Sequence, residues 1–241
     1  MKSILVTGGT GTLGRPAVKQ LRAAGHEVRI LSRTPGPDRV VGDLNAGTGL
    51  AAAADGVDVI VHLATSQGRR DVDQTRHLLS VAPSTAHVIA MSIAGVDQIP
   101  LPYYRAKLAA ERVVAESGVP YTILRATQFH DLIDLVFRAE RFLPALLAPT
   151  ITLQPIAVEE VAVRLAELAA QPAVQGRAPD IGGPERLPVT ELAKLWKQAR
   201  GVRRPVVPLR LPGKIFRAFA QGKATVDGPE YGTLTFAEYL A

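Results

Sequence analysis

The sequence predicts an α/β fold built on a doubly wound parallel sheet, and three observations lead to this prediction. A short apolar run at residues 4–6 indicates a buried strand, and a glycine-rich turn follows it directly at residues 7–14. Apolar residues at helical spacing come next, with Leu13, Ala17 and Leu21 on one face. Strand-like and helix-like segments then alternate along the chain, which is the pattern of a parallel sheet covered by helices.

The remaining elements follow from apolar runs, helical periodicity and turn residues. Residues 57–63 form a largely apolar run, interrupted by Asp58 and His62, typical of a central parallel strand that is covered on both faces. The predicted strands lie at residues 4–6, 27–31, 40–41, 57–63, 87–91, 121–124 and 178–181, and residues 205–212 are predicted to be extended. The predicted helices lie at residues 13–24, 47–54, 71–81, 103–117, 131–143, 159–170, 190–200 and 213–221. Thr235 and Glu238 have capping-box spacing for a last helical turn.

Composition restricts the class of protein. The 241 residues suffice for one large α/β domain, or one domain with a small appendage, and a hydrophobic content of 47% supports a full core. The absence of cysteine excludes disulfides, thiolate catalysis and cysteine–metal sites, and we predict no metal site. No apolar stretch approaches the length of a membrane span, and we see no signal peptide, so we expect a soluble, cytoplasmic protein without a membrane partner.

The charge balance is basic, with a formal charge of +6 and a sequence pI of about 9.8. The arginines and lysines are scattered in short groups such as Arg69-Arg70 and Arg203-Arg204, and aromatic residues do not interleave with them. This pattern favours a solvated surface with a few phosphate-binding groups over a nucleic-acid partner.

The turn at residues 7–14 has the spacing G-x-x-G-x-x-G and lies between a strand and a helix. Gly8 permits a sharp turn, Gly11 lets backbone approach a ligand, and Gly14 lets the helix pack closely on the strand. The free N–H groups and the dipole of the helix start favour bound negative charge. The turn therefore predicts a dinucleotide pyrophosphate site, for which we assign Gly8, Thr10, Gly11, Thr12 and Leu13; the alternative is a flexible turn without a ligand.

Residues at the end of the second predicted strand indicate which dinucleotide is bound. Ser32 and Arg33 follow the glycine turn by about twenty residues, where an acidic side chain would hold the ribose 2′-hydroxyl of NAD. A hydroxyl and a guanidinium suit a 2′-phosphate instead, so we predict NADP in preference to NAD. Asp43 and Leu44 are assigned to the adenine, with a turn or helix-capping aspartate as the alternative for Asp43.

The central apolar strand ends in a second group of predicted cofactor residues. Leu63, Ala64 and Thr65 lie at its carboxyl end, where ligands bind in open α/β sheets. His62 lies inside the strand, and we interpret it as a hydrogen-bonded strand residue rather than a catalyst.

Three further residues have the order and spacing of a proton-transfer site. Tyr103 and Lys107 are four residues apart at a helix start and share a face, and Ser92 comes eleven residues before Tyr103. A nearby ammonium stabilises a phenolate, so Lys107 is expected to lower the pKa of Tyr103 and also to hold a ribose, while Ser92 orients a carbonyl. Tyr104 is an alternative phenol, and a chance pair on an amphipathic helix is the alternative to any chemistry.

These motifs resemble the short-chain dehydrogenase/reductase superfamily, specifically its atypical, NmrA-like branch of NAD(P)-binding proteins. The residues that carry the resemblance are 7–14, Ser32-Arg33, Gly42-Asp43-Leu44, Tyr103-x-x-x-Lys107-x-x-x-Glu111, 121–126 and 154–162. The resemblance implies a Rossmann-type fold that binds NADP(H) across the switch point of the sheet. It also implies that Ala126, Thr127 and Phe129 are cofactor residues close to the nicotinamide.

The resemblance and the motifs together predict an NADPH-dependent reductase of a small carbonyl or quinone. A single Rossmann domain, residues 1–241, would carry a substrate lobe built mainly from 129–150 and 183–241. His130 is assigned either to the substrate or to a capping or surface position. Some members of this branch bind NADP without turning it over, so a redox sensor is the alternative function. The oligomeric state and the substrate are left open.

Overall fold

A computed structural model describes residues 1–228 and 230–241, which form helices on a parallel sheet with two smaller sheets. The strands are β1 Ser3–Thr7, β2 Glu27–Ser32, β3 Arg39–Val41, β4 Val59–His62, β5 His87–Ile93, β6 Tyr121–Ala126, β7 Leu146–Pro149, β8 Thr152–Leu153, β9 Gly176–Arg177, β10 Leu187–Pro188 and β11 Val206–Leu209. The helices are α1 Gly14–Ala23, α2 Leu50–Ala54, α3 Arg70–Leu79, α4 Pro102–Ala115, α5 His130–Ala139, α6 Val158–Ala170, α7 Val189–Ala199, α8 Lys214–Ala220 and α9 Phe236–Leu240.

The large sheet has the order β3-β2-β1-β4-β5-β6-β9. Val6 of β1 pairs in parallel with Ile30 on one side and Val61 on the other, and both faces of these strands are buried by helices. The chain moves outward from β1 to β3 and then returns to place β4 on the opposite side of β1. The switch point therefore lies between β1 and β4, where open α/β sheets bind ligands at the carboxyl ends of the strands.

The chain divides into two compact units. The first comprises Met1–Ser92, Pro102–Arg125 and Glu159–Pro179, and it holds the seven-stranded sheet. The second comprises Ile93–Leu101, Ala126–Val158 and Asp180–Ala241, and it holds the two small sheets β7–β11 and β8–β10. The segments predicted to build a substrate lobe fall in this second unit, and their role in binding a substrate stays a prediction.

Gln154 connects several segments of the second unit. Its backbone carbonyl accepts a hydrogen bond from the Thr127 hydroxyl, and its side-chain amide donates to the Gly183 carbonyl at 2.8 Å. Its side-chain oxygen accepts from the backbone amide of Val226 at 2.9 Å. The residue is 1% exposed, and these bonds satisfy its buried amide group, which would destabilise the fold if it had no partner.

Most predicted elements are present, and the differences have local causes. The helix predicted at 131–143 ends at Ala139 and continues only as a 3₁₀ turn, Glu140–Phe142, because Pro144 holds Leu143 in extended backbone. The short helix predicted from residue 47 begins at Leu50, since Gly47 and Gly49 both have positive φ. The strand predicted at 178–181 is wrong in position: β9 lies two residues earlier.

Three short strands were not predicted, namely β7, β8 and β10. They contain two to four residues each, and two of them include proline, so neither alternation nor length distinguishes them from loops.

Candidate active site

The glycine turn after β1 has the backbone geometry that its sequence predicts. Gly8 has a φ of +70°, which favours glycine, and a Cβ on it would lie 2.7 Å from the Ala64 amide nitrogen. A Cβ on Gly14 would lie 2.0 Å from the Gly8 carbonyl oxygen, so α1 starts directly against the turn. A Cβ on Gly9 would come within 2.8 Å of the Ile30 side chain. Gly9, which packs the turn onto β2, was not among the predicted cofactor residues.

The first turn of α1 presents donors that the fold itself does not use. The Gly11 amide donates to the Gly8 carbonyl and closes the turn, but the amides of Thr12, Leu13 and Gly14 donate to no other described residue. Leu13 provides no side-chain cap, and the first turn of the helix contains no acidic residue. These amides and the positive end of the helix dipole therefore fit a pyrophosphate.

The loops after β1 and β4 touch each other at the switch point. The Leu63 amide donates to the Thr7 carbonyl at 3.2 Å, and the Ala64 amide donates to the Thr7 hydroxyl at 3.2 Å. Together with the close approach of Gly8 to Ala64, these bonds bring two predicted groups of cofactor residues, Gly8 and Leu63-Ala64, side by side.

The loop after β2 carries more positive charge than the sequence argument recognised. Arg33 is exposed, and the Ser32 hydroxyl accepts from the Thr34 amide at 3.1 Å. Arg39 of β3 reaches the same loop and donates to the Thr34 hydroxyl at 3.4 Å. Two guanidinium groups, of Arg33 and Arg39, therefore belong to the loop predicted to bind a 2′-phosphate. Arg39 escaped notice because it is six residues further along the chain, on the neighbouring strand.

Asp43 forms a local turn, and Leu44 belongs to the core. The Asp43 carboxylate accepts from the Asn45 amide at 2.8 Å, which is the turn geometry offered as the alternative to adenine binding. Leu44 is 7% exposed and its carbonyl bonds to the His77 ring. A role for either residue at the adenine stays a prediction.

His62 is a hydrogen-bonded strand residue, as predicted. Its Nδ1 lies 2.7 Å from the Thr7 hydroxyl and its Nε2 lies 3.1 Å from the Thr75 hydroxyl. Because the Thr75 hydroxyl already donates to the Asp71 carbonyl, it accepts from His62, which places the proton on Nε2. Burial, followed by the Lys107 charge, lowers the pKa of His62 from 6.5 to about 3. The neutral imidazole thus connects β1, β4 and α3.

Buried histidines give the fold a predictable pH dependence. His87, which bonds to the Thr122 hydroxyl at 2.8 Å, also has a pKa lowered by burial, to about 4. The unfolded chain takes up these protons near pH 6.5 and the folded chain only near pH 3–4, so their contribution is complete above pH 6.5 and is lost as the pH falls. We expect each of the two histidines to lower the free energy of unfolding by up to about 1.4 kcal/mol per pH unit as the pH falls through this range.

Denaturant titrations at pH 7, 6 and 5 test this expectation on the unmodified chain and on His87→Gln. The variant should lose less stability on acidification, by up to about 1 kcal/mol per pH unit. Identical pH slopes in the two proteins would show that the fold does not lower the pKa of His87.

The predicted phenol and a buried carboxylate meet through one hydroxyl group. The Tyr103 oxygen lies 3.4 Å from Thr65 Oγ1, and that hydroxyl donates to Asp71 Oδ2 at 2.6 Å. Asp71 Oδ1 accepts from the amide and the hydroxyl of Ser66, at 2.6 and 2.7 Å. The Asp71 side chain is 2% exposed, so hydrogen bonds from this loop, rather than water, stabilise its negative charge.

Lys107 faces the same carboxylate. Its Nζ lies 3.9 Å from Asp71 Oδ2 and donates to the Met91 carbonyl at 3.3 Å, with 12% of the side chain exposed. The structure thus joins Tyr103, Thr65, Asp71 and Lys107 in one group of interacting side chains, which we call the Tyr103–Lys107 cluster. Asp71 was not predicted as a member of this group because it lies 32 residues before Tyr103, on another helix.

The pKa directions in the cluster differ from expectation. Burial raises the pKa of Tyr103, the hydrogen bond with Thr65 lowers it, and the Asp71 charge raises it further; the net shift is upward. The net shift is therefore opposite to the lowering expected from Lys107, because burial of the phenol is the largest cause and the Asp71 charge adds to it. Burial also lowers the pKa of Lys107, against the opposing effects of Asp71 and Glu111. Burial opposes ionisation of Asp71, but its hydrogen bonds and Lys107 hold its pKa below the usual value.

Ser92 lies in β5 and is almost entirely enclosed. It is 3% exposed, and its hydroxyl has no hydrogen-bond partner among the described residues. The Ser92 hydroxyl therefore makes no hydrogen bond to the described residues, but it is not exposed to solvent. Tyr104, the alternative phenol, is buried at 6% exposure and stacks edge-on against Tyr103.

The predicted nicotinamide residues belong to the second unit. Ala126 and Thr127 are buried and bond to Ile181, and Phe129 is half-buried and pairs with Ile156. His130 has no exposed surface; its Nε2 bonds to the Leu234 carbonyl at 3.1 Å, and its ring stacks on Tyr239. The surface position offered for His130 is therefore wrong.

No three His, Asp or Glu side chains in the described ranges gather in a way that would hold a metal ion. No helix within residues 1–228 or 230–241 is long and apolar enough to cross a bilayer.

Known proteins match this chain in sequence and in fold. A family model described as NAD(P)H-binding matches residues 8–135, just over half of the chain. A curated relative, the photosystem II assembly factor Ycf39 of Trieres chinensis, is 26% identical over 266 residues, which cover 99% of this chain and 82% of the relative.

Two solved structures share the fold over nearly all of both chains. The NADPH-dependent quinone oxidoreductase QOR2 of Escherichia coli, complexed with NADPH, has a TM-score of 0.83 at 18% identity and covers 98% of each chain. The triphenylmethane reductase of Citrobacter sp., complexed with NADP(H), has a TM-score of 0.79 at 19% identity, with 99% of this chain and all of that chain covered. The chain therefore belongs to the NAD(P)H-binding family, and its predicted place in the atypical branch of the short-chain dehydrogenase/reductase superfamily is confirmed.

Proposed function

We propose that this protein is an NADPH-dependent oxidoreductase that reduces a small carbonyl or quinone by hydride transfer. The observation that carries the proposal is the Tyr103–Lys107 cluster, which places a phenol beside a hydrogen-bonded chain of polar groups in the same unit as the glycine turn. Two structures with this fold are named as reductases, one of them of quinones, which supports the reaction class.

The residues present fit a nicotinamide dinucleotide. The amides at the start of α1 would hold the pyrophosphate, and Leu63, Ala64 and Thr65 would line its path at the switch point. Ser32, Arg33 and Arg39 would hold the 2′-phosphate of NADP, while Ala126, Thr127 and Phe129 are assigned to the nicotinamide. When bound, NADPH supplies the hydride, so the protein itself must supply one proton to the substrate oxygen.

Tyr103 is the residue we assign to that proton. Its raised pKa keeps the phenol protonated at neutral pH, which is the form that a proton donor needs. After donation the phenolate requires a nearby positive charge, and the Lys107 ammonium is on the same helix face. Burial lowers the pKa of Lys107, and the Asp71 charge opposes that lowering and so favours the ammonium form. Ser92 remains a proposal for orienting the substrate oxygen.

Tyr103→Phe tests the enzymatic assignment. We expect NADPH consumption with a panel of quinones and aldehydes to fall at least about a hundredfold, because general acid catalysis contributes this much, while NADPH binding stays unchanged. The decrease in NADPH absorbance with time gives the rate, and calorimetry gives the Kd for NADPH. Tyr121→Phe is the matched control, since that phenol lies at the start of β6. Full activity in Tyr103→Phe would remove the phenol from the mechanism.

Arg33→Ala tests the cofactor preference. Loss of a charge-assisted bond to phosphate is expected to raise the Kd for NADPH about tenfold or more and to leave the Kd for NADH within about twofold. Calorimetry with both nucleotides measures the two effects, and Arg112→Ala on the exposed side of α4 is the control. An equal loss for NADPH and NADH would count against the phosphate role.

A redox sensor that binds NADP(H) without turnover is the second function we propose. Two observations favour it: Asp71 balances the charge of Lys107, and the Ser92 hydroxyl is enclosed. A relative that matches nearly the whole chain is named as an assembly factor rather than an enzyme. Tight NADPH binding with no turnover on any substrate of the panel, and a partner profile that changes between NADP and NADPH, would favour the sensor.

A further inference from the structure

Helix α5 carries two apolar faces, of which the fold buries only one. Its inner face contains Ile133 and Phe137, which are 6% and 1% exposed. The outer face carries an apolar stripe that continues through the 3₁₀ turn. The stripe consists of Leu132, Leu135, Val136, Phe142 and Leu143, with exposures of 47, 62, 47, 84 and 40%. These are five of the eleven large hydrophobic side chains that are exposed in the described residues, so exposed apolar surface is concentrated here.

Arginines border this stripe on several sides. The Arg141 guanidinium lies over the Phe142 ring at 4.6 Å, and Arg204 donates to the Leu143 carbonyl at 3.0 Å. Arg138 and Arg200 both contact Asp134, at 2.6 and 3.4 Å. Four positive charges are therefore fixed at the edges of an apolar surface.

Three carboxylates lie on the helix and turn that carry the stripe; Asp134 and Glu140 are engaged, whereas one oxygen of Asp131 has no hydrogen-bond partner among the described residues. Asp134 accepts from Trp196 Nε1 at 2.8 Å in addition to its two arginines, and its side chain is 11% exposed. Glu140 accepts from the Leu147 amide at 2.9 Å. The four arginines exceed the three carboxylates by one charge, so the edge of the stripe keeps a net positive charge.

The sequence also concentrates positive charge in the segment that supplies two of these arginines. Residues 192–226, which include Arg200 and Arg204, contain nine lysines and arginines and no aspartate or glutamate. The rest of the chain has 19 basic and 22 acidic residues, a net charge of −3. The basic character of the whole protein therefore resides in one segment, and that segment contacts Asp134 of α5 through Arg200 and Leu143 of the stripe through Arg204. Such asymmetry is typical of proteins that meet an anionic surface.

We propose that the stripe and its bordering arginines dock on the surface of an anionic lipid bilayer. The apolar side chains would enter the boundary between head groups and acyl chains, and the guanidinium groups would meet lipid phosphates. A second copy of the chain is a poorer complement, because a symmetric contact would face the same arginines toward each other. A nucleic acid would use the charges but leave the apolar stripe in water. The prediction of no membrane partner considered only span length, and a surface helix of ten residues does not span.

Vesicle flotation with the full chain, in the absence of nucleotide, tests this inference independently of the proposed enzymatic function. The chain is expected to bind vesicles of phosphatidylcholine mixed with phosphatidylglycerol, to bind pure phosphatidylcholine at least tenfold more weakly, and to be released by high salt. Leu135→Ser and Phe142→Ser should each weaken binding about tenfold. Val163→Ser, at a 39% exposed valine on α6, is the matched control and should bind normally.

Thermal melts of all variants show whether they are folded, and sedimentation shows the oligomeric state. No binding to mixed vesicles, or equal binding to both kinds of vesicle, would overturn the proposal. A dimer that Leu135→Ser dissociates, without vesicle binding, would assign the stripe to a second copy. Retention on DNA that Phe142→Ser leaves unchanged, again without vesicle binding, would assign the charges to nucleic acid.

Discussion

Gly14→Ala is expected to abolish binding of both NADPH and NADH and to lower the free energy of unfolding by about 3 kcal/mol, the upper end for overpacking. The added Cβ would lie 2.0 Å from the Gly8 carbonyl oxygen and 2.6 Å from the Gly9 Cα. Both neighbours are backbone atoms, so α1 must move away from the turn rather than a side chain rotating aside. That movement displaces the free amides at the helix start from the pyrophosphate they are proposed to bind.

Calorimetry with both nucleotides and denaturant titration measure the two effects. Gly176→Ala is the matched control, because a Cβ there would meet nothing within 4 Å, and its stability should stay within about 0.5 kcal/mol. Normal nucleotide binding by Gly14→Ala would mean that the start of α1 is not part of the cofactor site.

Glu111→Ala is expected to destabilise the fold by about 3–5 kcal/mol, the cost of removing one partner of a buried ion pair. Arg125 Nε and Nη2 donate to the two carboxylate oxygens of Glu111 at 2.8 and 2.6 Å. The side chains are 4% and 8% exposed, so water cannot replace the carboxylate. The pair ties α4, which carries Tyr103 and Lys107, to β6.

Denaturant titration measures the effect, and Glu167→Ala provides the contrast. Glu167 also pairs with an arginine, Arg164, but is 43% exposed, and its removal should cost about 0.5 kcal/mol or less. The double variant Glu111→Met/Arg125→Met should recover much of the lost stability, because it leaves no buried charge without a partner. A small effect of Glu111→Ala, comparable to that of Glu167→Ala, would contradict the importance of this pair.

The sequence predicts the parts of the fold that depend on local patterns. The turn at Gly8 and Gly14, the alternation of strands and helices, and the capping box at Thr235 and Glu238 are all signalled by residues close together in the chain. Each of these features is present because its cause lies within a few residues. Tyr103 and Lys107 share a helix face for the same reason.

Features that depend on tertiary contacts were not predictable in the same way. Asp71 meets Lys107 only because α3 and α4 cover neighbouring strands, and Arg39 reaches Thr34 only because β3 pairs with β2. The direction of the Tyr103 pKa shift depends on Asp71 and on burial, neither of which Tyr-x-x-x-Lys spacing encodes. The exposure of Leu135 and Phe142 likewise appears only once the buried face of α5 is known.

Every group assigned here to moving a proton comes from the first unit, and each is tied there by internal hydrogen bonds or an ion pair. His62 adds a rigid connection, since a single imidazole links the strand before the glycine turn to the helix that bears Asp71. Under the proposed function, changes in the second unit would alter which substrates are accepted, while the residues assigned to proton transfer in the first unit would stay unchanged. We therefore expect relatives that carry out the same type of reaction on chemically different substrates.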